Sequence, residues 1–183
     1  MEKIVVAVFG RDRPGIVCKV ASILADHGCN IEDISQTVLQ GEFCGMFVVS
    51  LGKGVTINEL QDILDEQLKE ENLIAHTKPL ESSNHQINVE TEPFVVVSIG
   101  KDRVGLIAAI SCIMYEFGVN ISNLKFVNRT SAFPEKTLTI YEVDVPKDLK
   151  LTDFTTSLKK RAQELGLEIT VQHKKIFEEI CRI

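Results

Sequence analysis

The chain has 183 residues, 44% hydrophobic and 25% charged, with a formal net charge of −6. This is the composition of a soluble globular protein, and no apolar run reaches the roughly 18–20 residues of a membrane helix. Direct nucleic-acid binding leaves a basic footprint, yet residues 1–90 carry 7 Lys+Arg against 14 Asp+Glu, and residues 91–183 carry 13 against 12.

Along the chain, Lys3 to Phe9 is a short β-branched and apolar run ending at Gly10, the pattern of a buried strand. Ile16, Val17, Val20, Ile23, Leu24 and His27 then fall at helical spacing, with Pro14 in the first turn and Gly28 at the left-handed stop. Asn30–Leu39 and Phe43–Leu51 read as strands joined by a tight turn at Gln40-Gly41-Glu42. Thr56-Ile57-Asn58-Glu59 is a capping-box pattern opening a helix with Leu60, Ile63, Leu64 and Leu68 on one face, and Leu73–Leu80 is a closing strand. The polar stretch Glu81–Gln86 reads as a linker.

The order then repeats. Phe94–Ile99 is a strand, and Leu106–Phe117 a helix with Ile107, Ile110, Ile113 and Met114 at core spacing and Gly118 as its stop. Asn120–Asn128 and Thr137–Val145 are strands joined by a long hairpin loop through Arg129–Lys136. Thr152–Leu165 is a helix stopped at Gly166, and Glu168–Ile176 closes the unit. The tail from Phe177 to Ile183 is apolar enough to pack on its own domain.

The two halves match residue for residue. Gly10-Arg11-Asp12-Arg13-Pro14-Gly15 returns as Gly100-Lys101-Asp102-Arg103-Val104-Gly105, and Gly28, Asn30 and Ile31 return as Gly118, Asn120 and Ile121 at the same offset. A fixed offset across two glycine punctuators marks a tandem duplication. The boundaries that follow are domain 1 over 1–80, a linker over 81–91 and domain 2 over 92–183. Each copy reads β-α-β-β-α-β, an α+β ferredoxin-like unit with a four-stranded antiparallel sheet and two helices on one face.

The repeated turn joins the first strand to the first helix. Its glycines allow tight turning and close approach, and the helix start offers unpaired N–H groups and the positive end of a dipole, which suit a carboxylate. Asn30 opens the second strand, expected near this turn, and its amide both donates and accepts. Together they would hold the backbone portion of a free amino acid. A structural reading competes: Asp12 capping the helix, Gly15 permitting close packing, Asn30 holding a turn. Spacing leaves the two open.

At these residues the chain resembles the ACT domain, the small-molecule-sensing module of amino-acid metabolism. The arrangement of two such modules is similar to the glycine-cleavage-system transcriptional repressor group, and the first copy also resembles the regulatory module of formyltetrahydrofolate deformylase. The resemblance implies ligand binding at an interface between modules, by the strand–helix loop and the start of the second strand. Those positions are Asp12, Arg13, Pro14, Gly15, Ile16, Asn30 and Ile31 in the first copy, and Asp102, Arg103, Gly105, Leu106, Asn120 and Ile121 in the second. Val104 stands where the pattern has proline, so the first site ranks above the second. Glycine or serine is the ligand implied.

Rival readings fare worse. The histidines His27, His76, His85 and His173 are scattered, and no nucleophile, metal-ligand or P-loop pattern appears. An acylphosphatase-like enzyme on this fold would draw on Arg11, Arg13 and Asn30, and a ligand-free protein-interaction module is the stronger rival. Five cysteines without a C-x-x-C spacing read as reduced, mostly buried thiols. The expectation is a non-enzymatic cytoplasmic regulator without cofactor or metal. It binds a small amino acid and a regulatory partner protein, touches neither nucleic acid nor membrane, and forms a homodimer because open sheet edges need cover.

Overall fold

A computed structural model describes residues 2–81, 89–130 and 133–180, and the chain divides into two compact units, Met1–His85 and Gln86–Ile183. Most of the expected linker falls at 82–88, outside the described residues.

The first unit contains β1 (Lys3–Arg11), α1 (Ile16–Asp26), β2 (Asn30–Leu39), β3 (Glu42–Ser50), α2 (Ile57–Lys69) and β4 (Ile74–Pro79). Its antiparallel sheet has the order β2-β3-β1-β4. Alternation along β1 turns Ile4, Val6 and Val8 inward, where they meet Phe47 and Val49 of β3, Ile16, Val20, Ile23 and Leu24 of α1, and Leu60, Leu64 and Leu68 of α2. Burying each α2 leucine contributes about 1.5–3 kcal/mol. The β2–β3 turn is the two-residue pair Gln40-Gly41, both at positive φ (52° and 84°), whose twist suits a hairpin. α2 begins with a complete capping box between Thr56 and Glu59. The Thr56 N–H and hydroxyl, both bonded to the Glu59 carboxylate, hold it below the usual carboxylate range.

The second unit contains β5 (Thr91–Gly100), α3 (Leu106–Glu116), β6 (Asn120–Thr130), β7 (Phe133–Pro146), α4 (Leu151–Glu164), β8 (Leu167–His173) and α5 (Lys174–Ile180). Its sheet order, β6-β7-β5-β8, repeats the first. Phe94 and Val96 of β5 and Tyr141, Val143 and Val145 of β7 face Ile110 and Met114 of α3 and Phe154 and Leu158 of α4. Burial pushes the Tyr141 phenol up to about 12.

Several expectations need correction. The long hairpin loop is mostly strand: β6 and β7 remain paired to Thr130 and Phe133, and only residues 131 and 132, which lie outside the described residues, separate them. The last strand ends at His173, three residues early, and the chain turns into α5. α5 packs on β5 and β8, with the Lys174 ammonium donating to Glu142 at 2.6 Å. The tail thus rests on its own unit as far as Ile180; 181–183 lie outside the described residues. Ile107 is exposed, its core position being taken by Leu106 one residue earlier. Of the four described cysteines only Cys29 is buried, while Cys18, Cys44 and Cys112 are exposed. Cys18 and Cys112 lie on the solvent side of their amphipathic helices, and Cys44 points away from the helix-covered face of the sheet.

Candidate functional site

The repeated hexapeptide forms the same backbone in both copies. Gly15 precedes α1 at φ 97°, ψ −8°, and Gly105 precedes α3 at φ 91°, ψ 0°, left-handed values that favour glycine. The helix therefore begins at Ile16, so Pro14 lies in the turn and not in the first helical position. An ordinary Ser, Thr or Asp cap needs extended backbone at the capping residue. The left-handed glycine excludes that geometry, and neither helix has a side-chain cap. Asp12 is thus no cap; its N–H instead donates to the Gly41 carbonyl at 2.9 Å. The N–H groups of Ile16, Val17 and Cys18, and of Leu106, Ile107 and Ala108, have no acceptor among the described residues. Each turn thus presents three N–H donors at the positive end of a helix.

The charges around the two turns differ. Arg13 forms an ion pair with Glu71, at the end of α2. In the second copy Gly100 packs on Leu167 and the Gly166 carbonyl as Gly10 packs on Leu73 and the Asn72 carbonyl, which sets Leu165 where the first copy has Glu71. Lys101 and Arg103 accordingly make no ion pair among the described residues.

The asparagines lie elsewhere. Asn30 pairs with Ser50, which pairs with Lys3 at the start of β1, whereas Arg11 at its end pairs with Glu42. Eight residues of strand, about 26 Å at ~3.3 Å each, thus separate Asn30 from the turn. Asn120 is likewise level with Pro93 through Asp144, seven residues from Gly100. The cause is topological: a crossover helix returns the chain to the end where the first strand began, so β2 starts level with the start of β1. The single cleft expected within one copy is therefore not formed. Asp12, Arg13, Pro14, Gly15 and Ile16 gather at one end of the unit and Asn30 and Ile31 at the other; Asp102, Arg103, Gly105 and Leu106 separate from Asn120 and Ile121 in the same way. The same separation keeps Arg11 and Arg13 from Asn30, which removes the acylphosphatase-like arrangement within a unit.

At the asparagine end each copy carries a β-bulge, at Glu32 and at Ser122, that the sequence reading did not anticipate. Glu32 accepts hydrogen bonds from Lys3 and Ser50, which hold its carboxyl below the usual range. In the second copy Asn120 Nδ2 donates to Asp144 Oδ2 at 3.3 Å.

The two asparagine ends also differ in packing. In the first unit Gly52 lies against the end of α1, so close that a Cβ there would stand 2.3 Å from the His27 carbonyl oxygen and 3.0 Å from the Gly28 carbonyl carbon. Counted from the paired residues Ser50 and Asp144, the position of Gly52 is held by Pro146 in the second unit. A proline ring cannot make that approach, and a cavity of about 820 Å³ opens there instead. Its walls include Phe117, Gly118, Asn120, Asp144, Leu149 and Asp153. Counting from the strand pairs, and not at the fixed offset, would have exposed this exchange in the sequence.

Duplicated ferredoxin-like units, each opening its first helix with an uncapped left-handed turn, define a tandem small-module protein. Comparisons with known proteins agree. Residues 2–78 match the ACT domain. A UPF0237 protein of Methanopyrus kandleri is 48% identical over 65 residues, 35% of this chain and 72% of the relative. A UPF0237 protein of Pyrobaculum aerophilum is 47% identical over 70 residues, 38% of this chain and 78% of the relative. Among solved structures, a protein from Galdieria sulphuraria is 25% identical with a TM-score of 0.74, covering 94% of this chain and 98% of that one. A candidate glycine cleavage system transcriptional repressor shares the fold at 20% identity and a TM-score of 0.70, covering 93% and 96%. The chain belongs to the UPF0237 family and carries an ACT domain over residues 2–78. Among the described residues no helix is long and apolar enough to cross a membrane.

Proposed function

We propose that the protein is a non-enzymatic regulator that binds a small amino acid, glycine or serine first, at its repeated strand–helix turns and passes this state to a partner protein. The observation that carries the reading is the twice-formed helix start, with three unanswered N–H donors behind a left-handed glycine. A carboxylate satisfies such donors and gains about 0.3–1 kcal/mol from the helix dipole. The second turn, with Lys101 and Arg103 free of ion pairs among the described residues, adds positive charge that the Arg13–Glu71 pair reduces in the first. This reverses the order of the two sites drawn from sequence.

Because Asn30 and Asn120 lie far from the turns of their own units, they complete a site only for a turn brought from another unit. The expected homodimer would supply that arrangement. Control of transcription of amino-acid metabolism is one output such a partner contact would serve. The rival reading, a protein-interaction module without ligand, draws on the exposed Phe9, Met46 and Ile74 of the first sheet.

A thermal-shift screen against the common amino acids, followed by calorimetry, tests the proposal. A ligand at 100 times its dissociation constant stabilises the fold by about 2.7 kcal/mol. Arg103→Ala should weaken binding at the second turn and Asn30→Ala should weaken a site shared between copies, both with the fold intact. Silence from every amino acid by both methods refutes the sensor and leaves the interaction module.

A further inference from the structure

β4 and β8 are the outer strands beside β1 and β5, and the two units treat these free edges differently. Phe9 pairs with Ile74 and Ile99 pairs with Glu168, so Ala75 and Thr77 of β4 correspond to Ile169 and Val171 of β8. In the first unit the Gln61 side chain of α2 answers the edge. Its Nε2 donates to the Ala75 carbonyl at 2.9 Å, and its Oε1 accepts from the Thr77 N–H at 2.7 Å. These are groups that a further strand would use. Lys78 and Pro79 follow on the same strand, and lysine and proline both discourage edge pairing.

The second unit has none of these devices. The buried Leu60, Leu64 and Leu68 of α2 align with Phe154, Leu158 and Ala162 of α4, which puts Thr155 where the first copy has Gln61. A threonine side chain is too short to bridge from the helix to the strand edge. Among the described residues the backbone groups of Ile169 and Val171 that face away from β5 have no partner. β8 contains neither lysine nor proline, and Ile169, Thr170 and Val171 at its centre are β-branched strand formers. α5 does not answer the edge either. It packs on β5 and β8, and its Lys174 reaches Glu142 of β7, so it lies across the open face of the sheet.

We infer that the β8 edge is an interface between two copies of the chain, paired antiparallel about a two-fold axis at Thr170. The self-complementarity of the strand selects this occupant. In that register Ile169 of one copy exchanges both backbone hydrogen bonds with Val171 of the other, which uses every group left free at the two positions. Thr170 meets Thr170, and Glu168 meets Gln172, so the single carboxylate of the strand faces a neutral amide and not its own copy. The second-unit sheets of two chains then join into one. This makes specific the homodimer expected from open edges, and it does not depend on an amino acid at the turns.

Analytical ultracentrifugation of the full-length protein across the micromolar range, without added ligand, tests this together with hydrogen exchange. Expected is a dimer in which the Ile169 and Val171 amides exchange more slowly as protein concentration rises. Thr155→Gln transplants the side chain that closes the first edge. Glutamine favours a helix more than threonine does, so the fold should hold. The dimer dissociation constant should rise about tenfold or more, since half of the hydrogen bonds of the seam are lost. Val171→Pro removes an N–H that points away from β5, a change that edge strands tolerate, and should give a monomer. A monomer at every concentration, a dimer unaltered by Thr155→Gln, or exchange at Ile169 and Val171 indifferent to concentration would each overturn the inference. Amino-acid binding is read separately by thermal shift. A monomer that binds glycine or serine overturns this inference alone, whereas a β8-paired dimer that binds no amino acid upholds it and refutes only the sensor.

Discussion

Gly52→Ala tests the packing difference between the two copies. The added Cβ would lie 2.3 Å from the His27 carbonyl oxygen, 3.0 Å from the Gly28 carbonyl carbon and 3.1 Å from its oxygen. All three are backbone atoms at the end of α1, so no side chain can swing aside to relieve the contact. Gly52 has no left-handed φ, so the effect is steric alone. Overpacking of this kind costs about 1–3 kcal/mol, and the chain-entropy gain of replacing glycine returns about 0.4–1 kcal/mol. A net loss of about 1 kcal/mol lowers the melting temperature of a unit this size by about 4–8 °C. Urea denaturation, followed by a reporter in the first unit, would show a lower midpoint at unchanged slope. Gly15→Ala is the comparison: it has open space around the site and only a left-handed φ to pay for. If Gly52→Ala is as stable as the parent, the close approach does not hold the first copy shut, and the account of the cavity in the second fails with it.

Thr56→Ala removes one half of the capping box and should cost about 1 kcal/mol, read by the same denaturation; an unchanged midpoint would mean that packing alone holds the start of α2. Tyr115→Phe leaves Tyr141 as the sole tyrosine of the two in the chain, and its ultraviolet titration should then centre near 12. A midpoint in the ordinary tyrosine range would contradict the burial. Glu142 is held below the usual carboxylate range by hydrogen bonds from Lys174 and Asn123. A carboxyl depressed in the folded state stabilises fully above its unfolded pKa and loses that contribution as pH falls through the folded one. Hydrogen-exchange protection of α5 should therefore decline in acid, below the ordinary carboxylate range, and Lys174→Gln should abolish the pH dependence; equal protection in both proteins at all pH values would rule the pair out as the tie.

Local rules read most of this fold directly. The apolar run of β1, the leucine face of α2 and the tight turn at Gln40-Gly41 each answer to residues within a few positions, and all three form where the pattern puts them, with Glu42 passing from the turn to β3. The repeat located the turns, and among the described residues their helix starts have no acceptor. What the sequence did not disclose depends on long-range register. That Asn30 stands level with Lys3 follows from how the crossover lays β2 beside β3, which no short window contains. The ion pair of Arg13 with Glu71 spans 58 residues, and Gly52 becomes informative only once it is paired in space with Gly28. The last strand, expected to run on to Ile176, stops short because the chain turns after His173, whose ring meets Phe94 edge-on at 5.2 Å between centroids.

The left-handed glycines before α1 and α3 bear on how this protein can be stabilised. Introducing a helix cap is among the simplest ways to raise stability, commonly worth about 0.5–2 kcal/mol. Positions 15 and 105 are closed to that route, since a capping side chain there would meet a backbone it cannot adopt. Consensus design or directed evolution for heat resistance should thus collect its gains elsewhere, in loops and on exposed helix faces. The two turns would come through such a campaign unaltered.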